Sequence, residues 1–266
     1  MKISTCLKIS GQEKILWYVF IVVIYSSIIL VTEHVINGQL HSLSDPLTFK
    51  ISTIKEILGA QTYLPVMTSI AEFVQPNRVV IVFPPYKVAA LLFDNFESDV
   101  DHVCRILHNP SIWSLMKTSY LQISQSEPIL ASQAALLLSI FALSAFFYPP
   151  SDNSEVVTTE RDAVHLSKFW SKGALDVLDY SQRSTSGTLE DAQAYILMSY
   201  VAYHLDGFSA RGRLLTTVAA SITRDLRLHR LDADKESSIE RGTNLHGLID
   251  LEVKRRVFWH IVATDW

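Results

Sequence analysis

The chain has 266 residues, 48% of them apolar, and a formal net charge of −4. That length allows one large domain or two small ones with a substantial core. The charge balance gives no reason to expect a nucleic-acid surface. Two cysteines, Cys6 and Cys104, lie far apart and suggest no disulfide scaffold, and the chain has no Asn-x-Ser/Thr glycosylation acceptor; a reducing compartment is the easier reading.

Residues 15–32 open on Ile15, close on Thr32 and hold no charged residue. As a helix they span about 27 Å, near the minimum for a bilayer core. Lys2, Lys8 and Lys14 precede them, so the positive-inside rule keeps the N-terminus cytoplasmic. Three readings fit this segment: a membrane anchor, a buried stretch, or a mis-assigned start that reads through non-coding DNA. Residues 35–78 are weakly periodic and read as a poorly defined linker. Ile51, Ile54, Ile57 and Leu58 suit one short helix broken near Gly59. Residues 79–83 suit a short strand or an extended lead-in to Pro84 and Pro85.

From there on every clear element is helical. Pro84 and Pro85 open a helix with Val88, Leu91, Leu92 and Phe96 on one face. Val100, Val103, Ile106 and Leu107 suit a second, short helix. Asn109 and Pro110 start a third, with Trp113, Met116, Tyr120 and Leu121 as its inner side. Residues 128–148 carry no charge. Their length allows a second membrane span, but Ser132, Gln133, Ser139 and Ser144 dilute the run, and its amphipathic neighbours need something to pack on. A central core helix is the better reading. Thr159 caps the next helix, with Ala163, Leu166, Trp170, Ala174 and Val177 inward. Thr188-Leu-Glu-Asp191 reads as a capping box whose helix ends before Gly207. Ser209 caps a helix with Leu215, Val218, Ala219, Ile222 and Leu226 on one face. The last helix has Leu248, Leu251, Phe258, Ile261 and Val262 as apolar positions, and Glu252, Arg255, Arg256 and Trp259 on one stripe. The fold class is all-α, a multi-helix bundle, with the hydrophobic N-terminal segment as an additional helix.

Catalytic and metal signatures are thin. His102, Cys104 and His108 lie close in sequence, but no fourth zinc ligand or paired Cys-x-x-Cys accompanies them. Ser-x-x-Lys occurs twice, at Ser52 and Ser114, without partner motifs, which shows how cheap the pattern is. There is no phosphate-binding loop, dinucleotide fingerprint or nucleophile elbow. Arg211, Arg213, Arg224, Arg227 and Arg230 alternate with acids, unlike a phosphate-tracking surface. Arg256 sits four residues after Glu252, the spacing of a helical ion pair. Trp170, Tyr195, Tyr200, Tyr203, Phe208, Phe258 and Trp259 read as core rather than as a ligand pocket.

The motifs of the last third carry a resemblance. Leu228-His229-Arg230 ends a helix after an Ala-containing run, and Glu252-Val-Lys-Arg-Arg-Val-Phe-Trp259 with Asp265 follows. This resembles the middle homology region of the fungal zinc-cluster transcription factors, where a helix ends in Leu-His-Arg and a later one carries Glu-x-Arg-Arg-Arg, paired aromatics and an Asp. Leu107-His108-Asn109-Pro110 resembles an earlier element of the same domain, and the likeness runs back to about Val79. Two departures stand out: the family often has Gly where this chain has Arg227, and Arg where it has Lys254.

The resemblance implies a regulatory middle domain over residues 79–266, apparently truncated at its end, with residues 1–34 and 35–78 as separate segments. It implies a nuclear, non-enzymatic protein that answers to regulator proteins, to the transcription machinery or to a small-molecule effector. It implies architectural roles for His229, Arg230, Glu252, Arg255, Arg256, Trp259 and Asp265. The family's DNA-reading module needs six cysteines around zinc. Two cysteines cannot build it, so DNA and zinc are expected only through a module missing from this chain. Marginal stability or oligomerisation is expected of a bundle with uncovered faces. The competing reading is a membrane-anchored helical protein of unrelated role.

Overall fold

A computed structural model describes residues 47–59, 79–231 and 245–264. The hydrophobic run at residues 15–32 and Asp265 lie outside the described residues.

A short strand, β1 (Leu47–Ile51), is followed by a single-turn helix, α1 (Ile54–Gly59). Thr53 and Glu56 cap that helix reciprocally, Thr53 N–H donating to Glu56 Oε2 at 2.9 Å. The second strand, β2 (Val79–Phe83), pairs with β1 in parallel register, Leu47 opposite Val79 and Ile51 opposite Phe83. Residues 79–83 are thus a true strand, whose inner end is anchored by the fully buried Phe83. Its ring meets Phe49, Tyr120 and Phe141 edge-on at 6.1, 5.9 and 6.1 Å, favourable aromatic geometry.

Next come α2 (Tyr86–Asn95), a π-helical turn (Phe96–Val100), α3 (Asp101–Cys104) and α4 (Asn109–Ser124). The helix α5 (Ala131–Phe147) is the centre of the bundle, and it is buried on every side from Ala134 to Ala145. An all-round apolar helix needs neighbours on every face. It has them in α2, α4, α6 (Glu160–Ser184) and α7 (Leu189–Asp206). The middle of the uncharged stretch, residues 134–145, is therefore core. Among the described residues no helix is long and apolar enough to cross a membrane.

Two serines of α5 find partners inside this core: Ser139 Oγ donates to the Ala135 carbonyl at 2.8 Å, and Ser144 reaches α2. Ser144 Oγ donates to the Leu92 carbonyl at 2.6 Å and accepts from Asn95 Nδ2 at 3.1 Å, tying α5 to α2. Trp170 on α6 is fully buried, with Phe141 6.0 Å away.

Capping boxes open α6 at Thr159 with Asp162, and α7 at Thr188 with Asp191. Ser209 caps α8 (Ala210–Asp225) through Gly212 N–H. A one-turn 3-10 helix (Leu228–Arg230) follows, and α9 (Leu245–Thr264) packs on α7, α8 and that turn. The described residues form an all-α multi-helix bundle with one small parallel sheet at its edge.

Several inward assignments need correcting. Val103 and Leu121 are exposed, because α3 is a single turn and Ile112 takes the inner side of α4. On α9, Leu248 and Val262 face outward, and the buried stripe is Val253, Val257 and Ile261. These three are spaced four residues apart and so share one helical face, the one turned to α7 and α8. The aromatic set divides: Trp170 and Tyr195 are buried, while Tyr203, Trp259 and the 90% exposed Phe208 are surface residues.

Candidate functional site

The described residues singled out by motif lie on the 3-10 turn after α8 and on α9, which packs on that turn, α7 and α8. The backbone arranges the first of them. At the end of α8, Leu226 is still helical, and Arg227 turns left-handed at φ +56°. Its N–H donates to the Arg224 carbonyl at 2.9 Å, which satisfies one of the carbonyls a helix end leaves open. The reversal drives Leu228 into the core, where it is 3% exposed, and leaves His229 and Arg230 in solvent. Of the Leu-His-Arg element, the leucine is the structural plug.

On α9 the charges pair along the helix. Glu252 Oε1 accepts from Arg256 Nε at 3.0 Å, and its Oε2 lies 4.0 Å from Arg255. Lys254 pairs with Asp250 at 2.6 Å. These groups are a third to a half exposed, so solvent screens them and each pair adds little stability. Trp259 is 61% exposed and rests edge-on against Phe258 at 5.5 Å.

The polar seam under α9 was not legible from the motif. His260 is its centre. Its Nε2 lies 3.4 Å from the Tyr200 hydroxyl on α7, and the ring also bonds to the backbone at Cys104. Burial holds the His260 pKa below the ordinary imidazole range against the opposing pull of that bond. Nearby, burial raises the Asp101 carboxyl, while the hydrogen bond from Asn109 and the charges of Arg105 and Arg256 pull it back. Asn109 Nδ2 donates to Glu97 at 3.2 Å and to Asp101 at 3.4 Å. Asp101 Oδ1 and Asn109 Oδ1 have no hydrogen-bond partner among the described residues. Arg256 thus bonds within its own helix while its charge reaches an acid on another. Sequence reasoning missed His260, Tyr200 and Asp101 because their meeting depends on chain segments far apart.

Burial, with Asp101 beside it, pushes the Cys104 thiol up to about 11, so it is no thiolate nucleophile at neutral pH. Among the described residues no three His, Cys, Asp or Glu side chains converge to hold a metal ion.

Comparison with known proteins agrees with this picture. Residues 91–266 match the family described as the fungal specific transcription factor domain. The chain is 42% identical to the probable transcription factor lepB of Aspergillus flavus, over 69% of this chain and 33% of that protein. It is 32% identical to the transcription factor TAS2 of Pyricularia oryzae, over 68% of this chain and 23% of that one. The agnestins biosynthesis cluster transcription factor AgnL11 of Paecilomyces divaricatus is 27% identical, over 79% and 30%. The chain therefore spans about a third or less of the length of the curated relatives it matches. No solved structure matches it. A buried Leu228 under an Arg-rich helix end and a docked α9 thus sit inside the matched region, and the chain belongs to the fungal specific transcription factor domain family.

Proposed function

We infer that this chain is the regulatory middle domain of a fungal transcription factor, acting in the nucleus and modulating transcription through a partner protein or an effector. The observation that carries this is the match of residues 91–266 to the family. The helix α9 is held by Val253, Val257 and Ile261, with Ile249 and Phe258 packed beside them, and it turns Leu248, Trp259 and Val262 outward. This reading takes docking and release of α9 as the two-state regulatory element. His229, Arg230, Glu252, Arg255, Arg256, Trp259 and Asp265 are assigned architectural and docking roles in that element. No catalysis is assigned. The 266 residues hold two cysteines and so no six-cysteine zinc cluster, which leaves DNA contact to a module of that kind outside them.

The test is a reporter assay. The full chain is joined to a heterologous DNA-binding domain and an activation domain, and compared with the same fusion lacking it. The chain is expected to lower or condition reporter output, and Val257→Asp, which undocks α9, is expected to relieve that control. Equal output with and without the chain under every growth condition would sink the reading. A tagged chain found wholly in membranes would sink the nuclear assignment and favour the membrane-anchored alternative through residues 15–32.

A further inference from the structure

A cleft of about 360 Å3 opens between α6, α7 and α8. It lies away from the seam under α9. Its two long walls have different chemistry. The α6 wall presents Lys168, Ser171, Lys172 and Leu175, spaced i, i+3, i+4 and i+7. The α7 wall presents Met198, Val201, Ala202 and Leu205 at the same spacing, an apolar stripe that ends at Asp206. Each stripe is one face of a helix, so the lysines lie on one side of the cleft and the apolar stripe on the other, with Asp176 and Asp206 also in the lining. Arg211, from the first turn of α8, stands at the mouth.

The charges do not balance. Lys172 is bonded to Asp176 at 2.6 Å, and Arg211 lies 3.5 Å from Asp206. Lys168 has no ion pair or hydrogen bond among the described residues. With Lys168, Lys172 and Arg211 against Asp176 and Asp206, the lining carries one surplus positive charge. The volume falls within the roughly 300–1,000 Å3 of small-molecule sites, which typically join an apolar surface to a few placed polar groups.

We propose that this cleft binds a small amphipathic monocarboxylic acid, its apolar body against Met198, Val201, Ala202 and Leu205 and its carboxylate on Lys168 beside Arg211. The single surplus charge selects a monoanion. A dianion leaves one charge unmatched, and a cation meets Lys168 directly. The occupant touches three helices at once, so it fixes the first turn of α8 against α6 and α7. Since α8 runs on to Arg227 and the Leu228 plug, the cleft has a physical route to α9. This deepens the regulatory reading and rests on it for its consequence, though not for the binding itself.

The test is isothermal titration of the purified full chain with sodium octanoate, with octan-1-ol and octylammonium as charge controls. Octanoate is expected to bind best, roughly tenfold tighter than octan-1-ol, the worth of one charge-assisted hydrogen bond. Lys168→Gln should bring octanoate down to the level of octan-1-ol and leave octan-1-ol unchanged. Leu205→Trp, which fills the cleft from its half-buried edge, should abolish binding of both. Circular dichroism confirms that each variant is folded before titration. Octylammonium binding as well as octanoate, octanoate binding that ignores Lys168→Gln, or no binding at millimolar concentration each overturns the proposal. The reporter assay reads the regulatory role separately. Control without octanoate binding refutes the cleft alone, and binding without control refutes the regulatory role alone.

Discussion

Arg227 holds a left-handed backbone (φ +56°) that costs an L-residue roughly 1–2 kcal/mol. Glycine takes it without steric cost, though it loses more entropy on folding. Arg227→Gly is therefore expected to stabilise the chain by up to about 1 kcal/mol, read as a higher urea midpoint at an unchanged slope. An unchanged or lower midpoint would mean that the Arg227 side chain contributes more than the strain removes. The same turn gives a physical reason for the Gly that the resemblance leads one to expect at this position.

His260 makes a pH prediction of definite sign. Its folded pKa lies below the ordinary 6.5, so on acidification the unfolded chain takes up a proton first. The stability it contributes is complete above about pH 6.5 and is lost as pH falls through the depressed folded value. His204, lowered by burial, adds in the same sense. Asp101, whose pKa is raised, has the opposite sign, but its window opens just above 3.8. Urea midpoints measured at about pH 7.5 and about pH 5.5 should fall on acidification, and His260→Gln should fall less. An equal fall in the variant would place the effect on other groups.

Among elements, α9 shows where sequence reading succeeds and where it stops. Its existence and its Glu252–Arg256 pair were legible, since both follow from spacing along one helix. Its buried face was not. Leu248 is larger than Val253 and Val257 yet is exposed; the face is chosen by the surface of α7 and α8, which periodicity alone does not describe. Val257→Ala should cost about 2 kcal/mol through lost burial and the cavity left behind. Trp259→Ala should cost less than about 1 kcal/mol, because most of that ring is already in water. Chemical denaturation of the two variants separates the faces, and a larger loss from Trp259→Ala would reverse the assignment. The caps at Thr159, Thr188 and Ser209 were legible for the converse reason. Each is a local bond between residues three apart, so nothing distant can change it.

At the scale of the whole molecule, the central place of α5 was also legible, because an uncharged helix of core length admits few other positions. The seam of Asp101, Tyr200 and His260 was not, and neither was the β1–β2 pairing. Both join segments far apart in sequence whose own patterns are weak. The split walls of the α6–α7 cleft lie between these cases. Each stripe can be written down from spacing, but only packing brings the two face to face.

The parallel pairing of β1 with β2 has a consequence for how the chain divides. Parallel neighbours need a long crossover, here residues 52–78, and the hydrogen bonds of the pair do not depend on that crossover being continuous. Leu47 and Ile57 are both buried, and Phe49 rests on Phe83, so the early segment is held by side chains as well as by the ladder. A chain cut at an engineered protease site within residues 60–78 is therefore expected to remain a two-piece complex, with the piece bearing β1 coeluting with the bundle on gel filtration. Released with urea and diluted back, the pieces should find each other again, one as guest and the other as host. Loss of the early piece under native conditions would show that continuity of the chain, rather than the pairing, holds it in place.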